Sequence, residues 1–167
     1  MTVRRILMRR SLGPDGGPDV PPVPEGVTFR HPADHDAEAI AVLMFEAYRG
    51  TIDAEPTDTL DTARSEVATT LEGGYGDPMP EASFLVVEGD RLVSASLVTR
   101  WRDHPLIAFT MTMPDRAGRG LARAALTRSL TALADAGEDH VDLAVTDGNE
   151  PAQHLYETLG FVEVGSG

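Results

Sequence analysis

Apolar residues recur along this chain with two different periods, and each change of period marks an element. Alternation or short apolar runs over 27–30, 83–88, 92–100 and 106–113 predict strands, with Gly89-Asp90 and Asp103-His104 as the hairpin turns joining the last three. Helical spacing takes over elsewhere. Ile40, Met44, Ala47 and Tyr48 share one face of a helix that Asp34 or Asp36 can cap, and a second helix is predicted over 59–71. The glycine- and proline-rich stretch 72–80 ends it. Leu126, Leu130 and Leu133 fall at i, i+4 and i+7 of a third helix running to about residue 136, followed by a strand over 140–145. Pro151 suits the first turn of a fourth helix, Gly160 its end, and 161–164 a last strand. Helices, a strand meander, then helix, strand, helix, strand is the order of a mixed α/β sheet, α+β in its meander, rather than of a sandwich or bundle.

The first 26 residues stand apart. Residues 1–12 have apolar and arginine positions suited to a half-covered strand, and 13–26 is rich enough in Pro and Gly to be an extended connector. The division predicted is therefore an arm, 1–26, and a compact domain, 27–167.

Length and charge narrow the function. A chain of 167 residues supports one core and one active centre. Its formal net charge of -13 opposes non-specific binding to nucleic acid or anionic membranes, and favours a neutral or cationic partner. Every basic residue is Arg, so there is no lysine for Schiff-base chemistry or a phosphate loop, and without Cys there is no disulfide, thiol nucleophile or thiolate metal site. The histidines show no helical ligand spacing, so no metal is expected. Met1 to Leu12 is too charged and too short for a signal or membrane span, which makes the cytoplasm the expected compartment.

The chemistry concentrates in 113–125, MPDRAGRGLARAA. Gly118 and Gly120 remove the Cβ atoms that would keep a phosphate from the main chain, and the following helix offers unpaired N–H groups at its positive end. Arg116, Arg119 and Arg123 add charge at steps of three and four. Locally this pattern suits either a pyrophosphate cradle or an ordinary strand-to-helix turn with solvated arginines.

A second segment, 145–161 (VTDGNEPAQHLYETLGF), bears on that choice. Together the two resemble the GNAT superfamily of acyl-CoA N-acyltransferases, whose signature runs from a strand ending near Pro, through Q/R-x-x-G-x-G/A opening a helix, to a strand, an Asn, and a helix carrying Tyr before Gly-Phe. Here these are Pro114, Gly118-Arg119-Gly120-Leu121-Ala122, the strand 140–145, Asn149, Tyr156 and Gly160-Phe161, in order. One position departs: the Q/R place falls on Ala117, with Arg116 one residue early, which removes a side-chain contact but leaves the backbone amides. The TMTMP approach, together with RRILMRRSL, a proline linker and EGVTFR, is similar to mycothiol-synthase-like members of the superfamily.

The resemblance implies a GNAT fold: a central mixed, twisted sheet of about 6–7 strands flanked by about 4 helices, splayed between the fourth and fifth core strands. It implies acetyl-CoA as cofactor, with the amides of Arg116, Ala117, Gly118, Arg119, Gly120, Leu121 and Ala122 around the pyrophosphate. The pantetheine arm would run along Met111, Thr112 and Met113 like an added strand. A neutral primary amine of a small or cationic acceptor, small molecule or peptide, would attack the thioester directly in a ternary complex, and an N–H near Met111 or Thr112 would meet the developing oxyanion. Tyr156, with an ordinary pKa near 10, would protonate the departing thiolate, and Asn149 would cap its helix or contact the arm. Leu155 and Leu159 at helical spacing leave a core role as the alternative for Tyr156. Candidates for the base are Glu46, Asp53, Asp103 and His104, each also explicable as a surface group. A non-catalytic acyl-CoA-binding module is the alternative function, and a kinase-like role lacks a lysine or Mg²⁺-holding pattern. The family's final strand, which follows Gly-Phe, has no counterpart after Phe161. The 2–12 strand is expected to replace it, within the chain or exchanged in a homodimer, since a connector of this length spans about 45 Å; a disordered basic arm is the alternative.

Overall fold

The alternating segments pair into one sheet, ordered by which strand edges the connections can reach. The computed structural model describes residues 4–13, 20–52, 54 and 58–166. Its elements are β1 (Arg5–Ser11), β2 (Val27–Arg30), α1 (Ala37–Tyr48), α2 (Leu60–Leu71), β3 (Asp77–Pro78), β4 (Phe84–Glu88), β5 (Arg91–Trp101), β6 (His104–Thr112), α3 (Leu121–Asp135), β7 (His140–Thr146), α4 (Glu150–Thr158) and β8 (Val162–Ser166). The eight strands run β2-β4-β5-β6-β7-β1-β8, with β3 pairing β5 beside β4. All neighbours are antiparallel except β6 and β7. No helix among the described residues is long and apolar enough to cross a membrane.

The sheet has one strand more than the expected six or seven, because 72–80 is not simply a break. Asp77 and Pro78 pair with Arg100 and Thr99, and Gly76 makes this possible: at φ +100° it lies where a Cβ would collide with the Arg100 carbonyl. Two residues, one of them proline, carry no alternation to read. The second hairpin also differs by a residue. Trp101 pairs with His104, so Arg102 and Asp103 form the turn, Arg102 at φ +62°, and His104 belongs to β6.

Asp36 does not cap α1 with its side chain. It accepts from the Ala33 amide (2.7 Å) and from both terminal nitrogens of Arg30 (2.6 and 2.8 Å), fixing the end of β2 to the start of α1. Those bonds hold its carboxyl below the ordinary range. Thr59 does cap α2, its Oγ1 accepting from the Thr62 amide at 3.2 Å.

α1 and α3 both pack on β5 and β6 without packing on each other, which places them on the two faces of the sheet. Ser96 and Ser129 join α3 to β5 by a buried hydroxyl pair at 2.9 Å. Leu126, Leu130 and Leu133 of α3 are fully buried against Ile6 and Met8 of β1, Val141, Leu143 and Val145 of β7, and Phe161. β1 thus lies between β7 and β8 of its own chain, with Ile6 and Met8 facing the core and, by alternation, Arg5, Leu7 and Arg9 facing the other side.

Candidate active site

The parallel strands β6 and β7 pair only at Leu106 with Asp142 and Ile107 with Leu143. Beyond that point they diverge, and α1 and α2 roof the opening. A cavity of about 580 Å³ results, lined by β6 (Ile107 to Thr110), β7 (Leu143 to Thr146), α1, α2, and Asn149, Ala152 and Tyr156.

Backbone parity decides which amides face this gap. The Met113 N–H is donated to the Val93 carbonyl (2.8 Å), so in the β5–β6 ladder Met111 opposite Ala95 also bonds inward. Thr110 and Thr112, opposite Ser96 and Ser94, therefore turn their N–H and C=O groups towards β7. Met111 and Met113 are buried in the core, 2% and 5% exposed, so neither side chain is available to a ligand arm. Of the two oxyanion donors expected, Thr112 keeps a free amide and Met111 does not. Thr110 is added, since it lines the cavity and its buried Oγ1 has no hydrogen-bond partner. The alternation of TMTM held the signal for this assignment.

At the bend, Pro114–Arg116 forms a single 3-10 turn, and the Arg116 and Ala117 amides are donated to the carbonyls of Met113 and Pro114. That narrows the cradle to Gly118 through Ala122 and the next residue, Arg123, whose amides have no acceptor among the described residues. Gly118 (φ +79°) and Gly120 (φ +75°) take the left-handed conformation, and a Cβ at either would meet open space. The arginines are not equivalent. Arg116 is held by Glu88 (2.6 Å) and lies beside Asp115, and Arg123 donates to Thr158 (2.5 Å), whereas Arg119 makes no hydrogen bond or ion pair among the described residues. Bonding to Arg116 keeps the Glu88 carboxyl below its ordinary range.

Replacing Gly120 by alanine is expected to raise the Kd for coenzyme A about tenfold, through strain and an intruding methyl in the cradle. The fold should lose only about 1 kcal/mol. Calorimetric titration with coenzyme A checks this, and an unchanged Kd would remove the bend from the site.

Asn149 caps α4, its Oδ1 accepting from the Ala152 amide at 3.3 Å, and also lines the cavity. Tyr156 likewise belongs to two places. It is 9% exposed, its ring lies edge-on to Phe161 at 5.9 Å, and it forms part of the cavity wall.

Of the expected bases, Glu46, Asp103 and His104 are not brought to this cavity. Glu46 is bonded to Arg49 (2.8 Å) and does not line it. Asp103 is exposed in the β5–β6 turn, and Asp53 lies outside the described residues. His104 sits at the opposite end of β6, 3.2 Å from Asp142. There His104, His140 and Asp142 form a cluster that their sequence separation concealed. Arg9 takes both Asp142 oxygens (2.7 and 3.0 Å), which makes it an ion-pair network with a fixed cation at its centre. Burial pushes the Asp142 carboxyl up, but Arg9, with His104 and His140, outweighs it and holds the group low.

Among the described residues, the carboxylates that line the cavity are those of Asp58 and Glu66. Glu66 Oε1 accepts from the Tyr75 hydroxyl at 2.6 Å, and that bond, with burial, raises the Tyr75 pKa and keeps its proton in place. Tyr75 in turn packs edge-on against Phe109 of β6 (6.1 Å).

A mixed sheet split between β6 and β7, a glycine bend opening α3 and an Asn-capped α4 carrying Tyr156 define an acyl-CoA transferase architecture. The chain belongs to the acetyltransferase (GNAT) family, whose model matches residues 44–161. A mycothiol acetyltransferase from Actinosynnema mirum is 28% identical over 158 residues, covering 93% of this chain and 50% of that protein. Among solved structures, a GCN5-related N-acetyltransferase from Sphaerobacter thermophilus superposes with a TM-score of 0.76 at 25% identity, over 98% of this chain and 49% of the other. A tandem GNAT protein from the clavulanic acid biosynthesis pathway gives 0.72 at 17%, over 98% and 51%. The chain thus spans about half the length of each of these relatives.

Proposed function

We propose that the chain is an acetyl-CoA-dependent N-acetyltransferase acting on a primary amine of a small acceptor by direct attack. The observation that carries this reading is the cavity joining the β6–β7 gap, with its outward Thr110 amide and Tyr156, to a wall bearing Glu66 of α2 and Asp58 just before it. Family membership and the acetyltransferase relatives support the donor, and the Gly118 to Ala122 amides suit its pyrophosphate. An ammonium is drawn to the carboxylates and gives its proton to Glu66, directly or through water. The amine nitrogen then bonds to the thioester carbon, and the Thr110 or Thr112 amide stabilises the oxyanion. As the C–S bond breaks, the sulfur takes the Tyr156 proton, and the proton shed by the new amide nitrogen returns to the tyrosinate through water.

Thiol release from acetyl-CoA, followed across a panel of primary amines, tests this. Amine-dependent release with an N-acetylated product is expected. Acetyl-CoA binding with no release over any amine would make the chain a binding module instead, and no binding at all would overturn both.

A further inference from the structure

Of the fourteen arginines, Arg5 and Arg119 alone make no hydrogen bond, ion pair or ring contact among the described residues. Arg119 is at the bend already assigned to pyrophosphate. Arg5 lines the cavity. It pairs across the ladder with Thr146, and Leu7 with Ala144, so Arg5 stands on the same face as two β7 residues of the cavity wall. The other lining arginine, Arg49, is bonded to Glu46 and stacked over Phe45 at 5.4 Å. In a chain of net charge -13, carboxylates are plentiful, yet none among the described residues takes up Arg5.

We infer that the acceptor carries an anionic oxygen group, carboxylate or phosphate, as well as its amine, and that Arg5 of β1 holds that group. This rests on the acetyl-transfer reading given above. The cavity offers both signs of charge: Asp58 from the approach to α2, Glu66 from α2, and Arg5 from β1. Glu66 is committed at one oxygen to Tyr75, which fixes its carboxylate in place while the other oxygen accepts no hydrogen bond among the described residues. Arg5 is close enough to this pair to act on the Tyr75 hydroxyl electrostatically. Arg5 is exposed where it lines the cavity, so a purely cationic acceptor would meet it as a like charge at the cavity wall; a zwitterionic one complements both walls. The planar guanidinium fork matches carboxylate and phosphate oxygens in bidentate fashion, which an ammonium could not do as selectively.

The test compares amines that differ only in the anionic group: L-amino acids against their carboxamides for the carboxylate, and phosphoethanolamine against ethanolamine for the phosphate. Each pair is assayed with the native chain and with Arg5→Gln. Arg4→Gln serves as control, because Arg4 pairs with Asp147 and does not line the cavity. The native chain is expected to favour one anionic series by at least about tenfold in kcat/KM. Arg5→Gln should erase that preference by raising KM for the anionic amines about 10- to 100-fold, with the neutral amines and acetyl-CoA unaffected. Turnover without preference, or a preference that survives Arg5→Gln, overturns the inference. If no amine turns over, the acetyl-transfer reading fails separately. Calorimetric binding of the same amino acids and phosphoethanolamine to the two variants then decides the Arg5 site: binding lost in Arg5→Gln supports it, and equal or absent binding overturns it.

Discussion

Tyr156→Phe is expected to lower kcat by about 10²- to 10⁴-fold while leaving the KM for acetyl-CoA within about twofold. The substitution removes one hydroxyl and keeps the ring, which is 9% exposed and packed edge-on against Phe161, so stability should change by only about 1 kcal/mol. The two roles of this side chain therefore separate in one variant. A general acid matters once the C–S bond is breaking, because the thiolate is the poorer leaving group without a proton; binding of the intact thioester does not need it. The alkaline limb of the kcat profile should accordingly flatten in the variant, since loss of the tyrosine proton no longer limits the rate. Steady-state kinetics from pH 6 to 10, with a thermal melt of both proteins, measure this. Native kcat across that range would return Tyr156 to the core cluster alone.

What the chain reveals before folding is divided by distance along it. Contiguous periodic segments were legible: the helix over Leu126, Leu130 and Leu133, the β4–β6 meander, and the Pro151 start of α4 each depend on neighbours a few residues away. The Gly118–Ala122 bend and the Asn149 to Phe161 segment were legible as local structure for the same reason, since each is a run of consecutive residues. β3 was not, because a two-residue pairing through Pro78 has no period, and the second hairpin turn was displaced because the left-handed residue is Arg102, which advertises no turn. The acceptor side of the cavity was hidden more thoroughly. Arg5, Asp58, Glu66 and Thr110 lie on β1, the approach to α2, α2 itself and β6, and only the sheet order and the helix roof bring them together. The single-helix candidate Glu46 turned instead to Arg49, its i+3 neighbour, the nearest available cation.

Removing residues 1–12 is expected to abolish cooperative unfolding, leaving a chain that aggregates or melts without a defined midpoint. Ile6, Met8 and Leu12 are 5%, 3% and 4% exposed, and deleting large buried side chains costs about 2–5 kcal/mol each, against a total stability of about 5–15 kcal/mol for a domain. The backbone loss compounds this. β1 bonds to β7 from Arg5 through Ser11 and to β8 from Ile6 through Arg9, so its removal strips both strands of their shared partner and exposes two edges at once. β7 and β8 close the gap only by moving α4, which connects them, and the deletion also takes away the Arg10 bond to the Leu159 carbonyl (2.7 Å). The loss should be repairable in trans. A synthetic peptide of residues 1–13, added during refolding, is expected to restore a cooperative melt, because every β1 contact is made by the strand itself and none requires the connector. Circular dichroism melts of the truncated chain with and without the peptide, together with a Met8→Asp full-length variant that places a charge in the same core, measure the effect. A truncated chain melting at the full-length midpoint would show that β1 contributes nothing to the fold, and with it that Arg5 has no fixed place beside the cavity.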